Sequence, residues 1–227
     1  MVRKAGIPVY VPPMGKGVID EDLPEFGGVY FGALSSPDVI EATKSSDLEI
    51  TIGHMKSDLN TAGFTYHYSR LNAIDLHEDH VVIKHARIDK VYFKSLVTRV
   101  ERELNSSKPP STAKQTLSTS DGSQAPETGT ENIISHAYLW PRLSRLLREG
   151  DVLVTETGTS YVGYWDTKLP RDVTVINQIL WSSIGYGVGA AQGAALAARD
   201  VGRNQRVICF EGDGSSQLTA QELSTII

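Results

Sequence analysis

Arg206-Val207-Ile208-Cys209-Phe210-Glu211-Gly212-Asp213-Gly214-Ser215 is the stretch whose reading decides the fold. An apolar strand runs without a break into Gly-Asp-Gly-Ser and then into a helix. In open α/β sheets ligands bind beyond the carboxyl ends of the strands, and residues 212–215 stand at such an end. Glycines let the backbone approach a ligand closely. Amides at the start of the following helix, with the positive end of its dipole, favour a phosphate. Asp213 offers the hard oxygen that magnesium takes when it shares a site with phosphate oxygens. A plainer reading keeps the same turn and makes Asp213 a helix cap. These ten residues leave both open.

Working outward, strands and helices alternate. Residues 134–148 read as a helix with Pro141 as a kink or late start. Strands follow at 152–155 and 173–179, then a long helix at 183–199, the strand at 207–210 and a terminal helix at 218–227. In the first half, strands are expected at 7–11, 48–52, 72–76 and 81–83, with a helix at 37–44. A second helix, at 91–104, carries a one-sided stripe of Val91, Phe93, Leu96, Val97, Val100 and Leu104. Residues 105–132 are dense in Ser, Thr, Pro and Gly and almost without apolar side chains. They bury too little surface to offset the entropy of ordering, so they read as a linker. The expected fold class is α/β, with two Rossmann-like units at 1–104 and 133–227, mainly parallel sheets, and the second unit truncated.

Composition narrows the partners. The chain is 40% hydrophobic and 22% charged, in the range of ordinary globular domains, and its net charge of -5 comes without a basic block. Nucleic acid is therefore not expected as a partner. No stretch reaches the roughly 20 apolar residues of a membrane helix, and the first residues lack the apolar run of a secretory signal. The lone Cys209 excludes an internal disulfide and fits a reducing compartment; inside an apolar run it reads as a small core residue. The amino end reads as a strand entered in mid-fold and the carboxyl end as a helix without a stop signal, so a piece of a larger protein is expected.

Other motifs compete for attention. Glu156-Thr157-Gly158-Thr159-Ser160 again follows an apolar strand, and its hydroxyls and glycine suit the lining of the same crevice. The string Glu-Thr-Gly-Thr recurs at 127–130, but there no strand precedes it. Gly185-Tyr186-Gly187-Val188-Gly189-Ala190 matches a dinucleotide fingerprint, with Glu211 available as the ribose-binding acid. Gly185, Gly189 and Gly193, however, recur every four residues, which puts them on one helix face and favours close packing over a phosphate loop. His77-Glu78-Asp79-His80, with His85 nearby, lies around a strand end without helical register and reads as a solvated loop. Lys16, in Gly15-Lys16-Gly17, lacks the spacer of a P-loop and reads as a turn.

Taken together, three ordered strings resemble fungal-type pyruvate decarboxylase. They are Glu156-Thr157-Gly158-Thr159-Ser160, Gln178-Ile179-Leu180-Trp181-Ser182-Ser183-Ile184-Gly185-Tyr186, and the run from Gly212-Asp213-Gly214-Ser215 to Gln221-Glu222-Leu223-Ser224-Thr225. Pro13-Met14-Gly15-Lys16-Gly17, Phe26-Gly27-Gly28-Val29-Tyr30 and Leu76-His77-Glu78-Asp79-His80 resemble that family's middle domain. The likeness spans essentially the whole chain and is weakest in the linker.

The resemblance implies thiamine diphosphate and magnesium as cofactors, decarboxylation of a 2-oxo acid such as pyruvate, a cytoplasmic location and a homo-oligomer, dimer or tetramer. It makes Asp213 the magnesium ligand and sets Gly212, Gly214 and Ser215 against the diphosphate. Thr159 lines the cofactor site, and Ile184 becomes the bulky apolar residue beneath the thiamine. Ser182 stands where the family usually has glycine and offers a backbone carbonyl to the aminopyrimidine. It also implies that no catalytic acid or base lies in this chain. The family's activating glutamate and paired histidines belong to an amino-terminal domain, and an asparagine pair completing the metal site lies further downstream. The chain alone is accordingly expected to be inactive, and a non-catalytic remnant or interaction module is the alternative. A dinucleotide binder ranks last.

Overall fold

The computed structural model describes residues 2–66, 70–106 and 133–226. These divide into two compact units. One gathers the residues through Pro12 and those from 23 to 106; the other gathers Pro13–Asp22 and the residues from 133 onward.

In the first unit, helix α1 (Val2–Ala5) precedes strand β1 (Val9–Val11), which pairs in parallel with β2 (Phe26–Val29). Helix α2 (Pro37–Lys44) starts and stops where its sequence says it should. Pro37 fixes the first turn without losing a needed N–H, Asp38 faces the positive end of the dipole and Lys44 the negative end. Strands β3 (Glu49–Ile52), β4 (Ala73–Leu76), β5 (His80–Ile83) and β6 (Ala86–Asp89) form one sheet in that order. The β3–β4 pair is parallel, while β4–β5 and β5–β6 are antiparallel hairpins.

Strands β2 and β6 were not expected from the sequence. Gly27 and Gly28 weaken β2 as a pattern, and Ala86–Asp89 is exposed at every position, so it carries no alternation to read. Helix α3 (Phe93–Ser106) ends the described part of this unit, with Lys4 of α1 bonded to its Glu101 at 2.8 Å. The expected linker 105–132 thus gives its first two residues to α3, and the rest lies outside the described residues.

The second unit is built on the parallel sheet β8–β7–β9, from β7 (Val152–Thr155), β8 (Thr174–Asn177) and β9 (Val207–Phe210). Central β7 is buried at every position, as an unbroken apolar run in a parallel sheet requires. Leu153 packs with Trp140, Leu143, Leu147, Tyr164, Leu169 and Val173 in the main core cluster. Helix α4 (His136–Leu143) is shorter than the expected 134–148. Ser135 caps it by accepting the Tyr138 N–H at 3.3 Å, and it passes through Pro141 to end two residues later. The expected terminal helix at 218–227 is replaced by a 3-10 turn at Ala220–Glu222 and the short α8 (Leu223–Ile226), after a one-turn α7 (Asp213–Ser216). Cys209 is half-buried on the edge strand β9 and not a full core residue; burial still pushes its thiol up to about 11.

Pro13–Asp22 is bound into this unit by buried polar contacts. The Lys16 ammonium meets Glu21 at 2.7 Å with both side chains almost wholly enclosed, and the other Glu21 oxygen accepts the Leu169 N–H. Tyr164 donates its hydroxyl to the Pro13 carbonyl at 3.0 Å. The turn at Lys16 was legible in the sequence; its burial was not.

Candidate functional site

The register of the second unit's sheet sets the site. Thr155 pairs with Asn177 on one side and with Phe210 on the other. The loops after β7, β8 and β9 therefore leave the same carboxyl edge at the same level, which is where ligands bind in parallel sheets. These loops carry Thr159, then Ser182 and Ile184, then Gly212 to Ser215.

After β7 the chain passes through Glu156 and Thr157 to Gly158, which has φ 128° and ψ -140°, a conformation open essentially to glycine alone. Gly158 starts helix α5 (Thr159–Gly163), leaving Thr159 exposed at its first position. The Ser160 hydroxyl donates back to the Glu156 carbonyl at 2.7 Å, closing the turn.

After β8, Ile179 is buried, whereas Trp181 and Ile184 stand 78% and 57% exposed. Ser182 has φ 49°, in the left-handed region that favours glycine. The loop ends at Gly185, φ 88°, which opens the 15-residue helix α6 (Tyr186–Asp200). Gly185 is thus a left-handed cap, and the expected helix start at 183 moves to Tyr186. The expected close packing through Gly189 and Gly193 is also corrected, because a Cβ on either would meet nothing within 4 Å. Gly185 is close-packed as expected, since a Cβ there would lie 3.0–3.3 Å from Thr219 and Leu218, and Gly187 is tighter still. A Cβ there would collide with Glu211 Oε2 and lie 2.9 Å from Glu156 Oε2.

Those two carboxylates are the part of the site that the sequence did not reveal. Glu156, 1% exposed, accepts the Gly185 N–H through Oε1 at 3.1 Å and the Gly187 N–H through Oε2 at 2.6 Å. A carboxylate at a helix amino end gains from both the directed N–H bonds and the dipole. Both oxygens of Glu211 are buried with no hydrogen-bond partner among the described residues, and burial together with the Glu156 charge pushes its carboxyl up to about 7. This bears on the dinucleotide fingerprint. The amides it would offer to a phosphate are already taken by a glutamate, and Glu211 faces Gly187 and not a ribose. The signal available in the sequence was an acid directly after a central strand, but its target lies 29 and 31 residues away.

After β9, Gly212 is the cap residue and Asp213 is the first residue of the one-turn helix α7. Asp213 therefore caps nothing, which removes the plainer reading of the motif. Its side chain is exposed, and its backbone carbonyl accepts from Ser216 Oγ at 2.8 Å. The helix expected to follow residues 212–215 is the four-residue α7, so the dipole behind them is that of a single turn. Thr219 Oγ1 donates to the Gly185 carbonyl at 2.9 Å and so ties this segment to the β8 loop. The loops are joined, but no hydrogen bond links Thr159, Ile184 and Asp213 directly among the described residues. His77 and His80, in the other unit, stack at 4.3 Å across the tight turn between β4 and β5.

Two family models match. Residues 1–101 match the thiamine pyrophosphate enzyme central domain, and residues 156–227 match the C-terminal thiamine-pyrophosphate-binding domain. The chain belongs to the thiamine pyrophosphate enzymes. It is 44% identical over its whole length to a pyruvate decarboxylase of Aspergillus fumigatus, covering 39% of that protein. A Candida albicans pyruvate decarboxylase is 41% identical over the whole chain, which covers 40% of it. Pyruvate decarboxylase isozyme 2 of Saccharomyces cerevisiae is 43% identical over 97% of the chain, which covers 39% of it. The chain thus spans about two fifths of the length of the curated relatives it matches. The crystal structure of benzoylformate decarboxylase from Polynucleobacter necessarius shares the fold, with a TM-score of 0.68 and 20% identity over 99% of this thiamine pyrophosphate enzyme chain and 42% of that one.

Proposed function

We propose that this chain forms the magnesium and diphosphate corner of a thiamine-diphosphate-dependent 2-oxo acid decarboxylase, acting on pyruvate to give acetaldehyde and carbon dioxide. Residues 1–104 serve as its central domain, and 133–227 as the part that holds the cofactor. The observation that carries this reading is Asp213. It is exposed and caps nothing, at the carboxyl end of β9, on the edge of the sheet that also presents Thr159 and Ile184.

A hard carboxylate beside glycines at a strand end suits a magnesium ion that would accompany a diphosphate. In this reading Asp213 ligates the metal, and Gly212, Gly214 and Ser215 lie against the diphosphate. Thr159 would line the cofactor crevice, Ser182 would offer its backbone carbonyl to the aminopyrimidine, and Ile184 would supply the apolar support for the thiamine. Thiamine diphosphate, when bound, supplies the nucleophilic carbon and the electron sink for loss of carbon dioxide, and the protein supplies orientation. The acid and base groups of the reaction are placed outside these 227 residues, so the chain by itself binds without turnover. The working enzyme is proposed to be a cytoplasmic homo-oligomer.

Titration calorimetry of the chain with thiamine diphosphate tests this. Binding that requires magnesium and weakens at least tenfold in Asp213→Asn is expected. Absence of binding by the unaltered chain, or binding indifferent to both magnesium and Asp213, refutes it.

A further inference from the structure

The loop after β8 carries both residues assigned to the cofactor rings, Ser182 and Ile184, and beyond the buried Ile179 it exposes Trp181 and Ile184. Its own hydrogen bonds are local, from Ser182 N–H to the Gln178 carbonyl and from Tyr186 N–H to the Ser183 carbonyl. Two side chains from other segments hold its far end. The Thr219 hydroxyl takes the Gly185 carbonyl, and Glu156 takes the Gly185 and Gly187 N–H groups.

Glu156 is the stronger of the two. It extends from the carboxyl end of β7, the most deeply buried strand of its sheet, and its carboxylate is enclosed. Each oxygen serves a different N–H, so the carboxylate cannot rotate without breaking one bond. A buried charge bound in this way has no better arrangement to move to, which is what makes it a fixed reference point. Gly187 completes the fit, since any side chain there would enter the space of the Glu156 and Glu211 carboxylates.

We propose that Glu156 is the positioning residue of this site: by accepting the Gly185 and Gly187 N–H groups it sets the conformation of the loop that presents Ser182 and Ile184 to the cofactor rings. The loop half of this inference rests on geometry alone, and the ligand half on the thiamine-diphosphate reading above. The Gly185 and Gly187 N–H groups are thereby withdrawn from anion binding, which favours residues 212–215 for the diphosphate.

The test uses the whole 227-residue chain and two readouts. In Glu156→Gln the amide can accept only one of the two N–H groups. Amide hydrogen exchange over residues 180–188 is expected to accelerate at least tenfold, with exchange in β7 unchanged. In calorimetry with magnesium, the dissociation constant for thiamine diphosphate is expected to rise at least tenfold, while that for inorganic diphosphate stays within about twofold. A role confined to overall folding would move both ligands together and speed exchange across the sheet, and that result overturns the proposal. So does unchanged exchange in the loop. Should the glutamine variant fail to fold, Glu156→Asp keeps the charge, loses the reach, and is read the same way. If the unaltered chain binds neither probe, the cofactor reading fails, and the exchange data still decide whether Glu156 holds the loop.

Discussion

Gly187→Ala and Gly189→Ala place the same methyl group two residues apart on one helix and should move stability in opposite directions. At Gly189 the new Cβ meets nothing within 4 Å, so only the intrinsic preference of a helix for alanine operates. That is worth roughly 0.5–1 kcal/mol of stabilisation. At Gly187 the same gain, at most about 1 kcal/mol, is opposed by two costs. The methyl overlaps Glu211 Oε2 and lies 2.9 Å from Glu156 Oε2, and overpacking of this kind costs about 1–3 kcal/mol. Relief requires Glu156 to move off the Gly185 and Gly187 N–H groups, and leaving such groups buried and unpaired costs about 1–3 kcal/mol more. The variants should therefore differ by about 2–6 kcal/mol, with Gly189→Ala above the unaltered chain and Gly187→Ala below it. Urea unfolding followed by far-ultraviolet circular dichroism measures both. If alanine at 187 is tolerated as well as at 189, the two glutamates are not held where the structure has them.

Two further outcomes follow from buried charges. Lys16→Met strands the Glu21 carboxylate inside the second unit and should cost about 3–5 kcal/mol in urea unfolding, while Lys16→Met combined with Glu21→Leu should recover part of the loss; a single variant within about 1 kcal/mol of the parent refutes this. Burial pushes the Glu49 carboxyl up to about 7, with Lys56 opposing and Asp75 reinforcing the shift. Its folded value is raised, so the native chain holds the proton more tightly than the unfolded one, and stability falls as pH rises from the ordinary carboxylate range through about 7. Glu49→Gln, which mimics the protonated form, should stabilise the chain at pH 7.5 by on the order of 1–3 kcal/mol and change little at pH 5. A stability difference that is the same at both pH values counts against it.

Much of this protein could be read from the sequence because its signals are local. The apolar runs of β7 and β9 marked parallel strands, although only β7 is buried along its length. The proline near the start of 37–44 marked α2, and the glycines after β9 marked a turn with Asp213 in it. Each depends on residues within one turn or one strand of each other, where propensity, capping and patterning operate. Tertiary structure decided the rest. Whether Asp213 was a cap or a free carboxylate depended on which residue the helix chose as its first. Whether the glycines at the start of α6 were a packing face, a phosphate loop or a socket for two acids depended on what stood opposite them, and that came from Glu156 and Glu211, just past the ends of β7 and β9. The charge of Glu156 was visible from the start. Its use was not, because its two hydrogen bonds cross some thirty residues of chain, and contacts at that separation are fixed by the register of the sheet and not by neighbours in sequence.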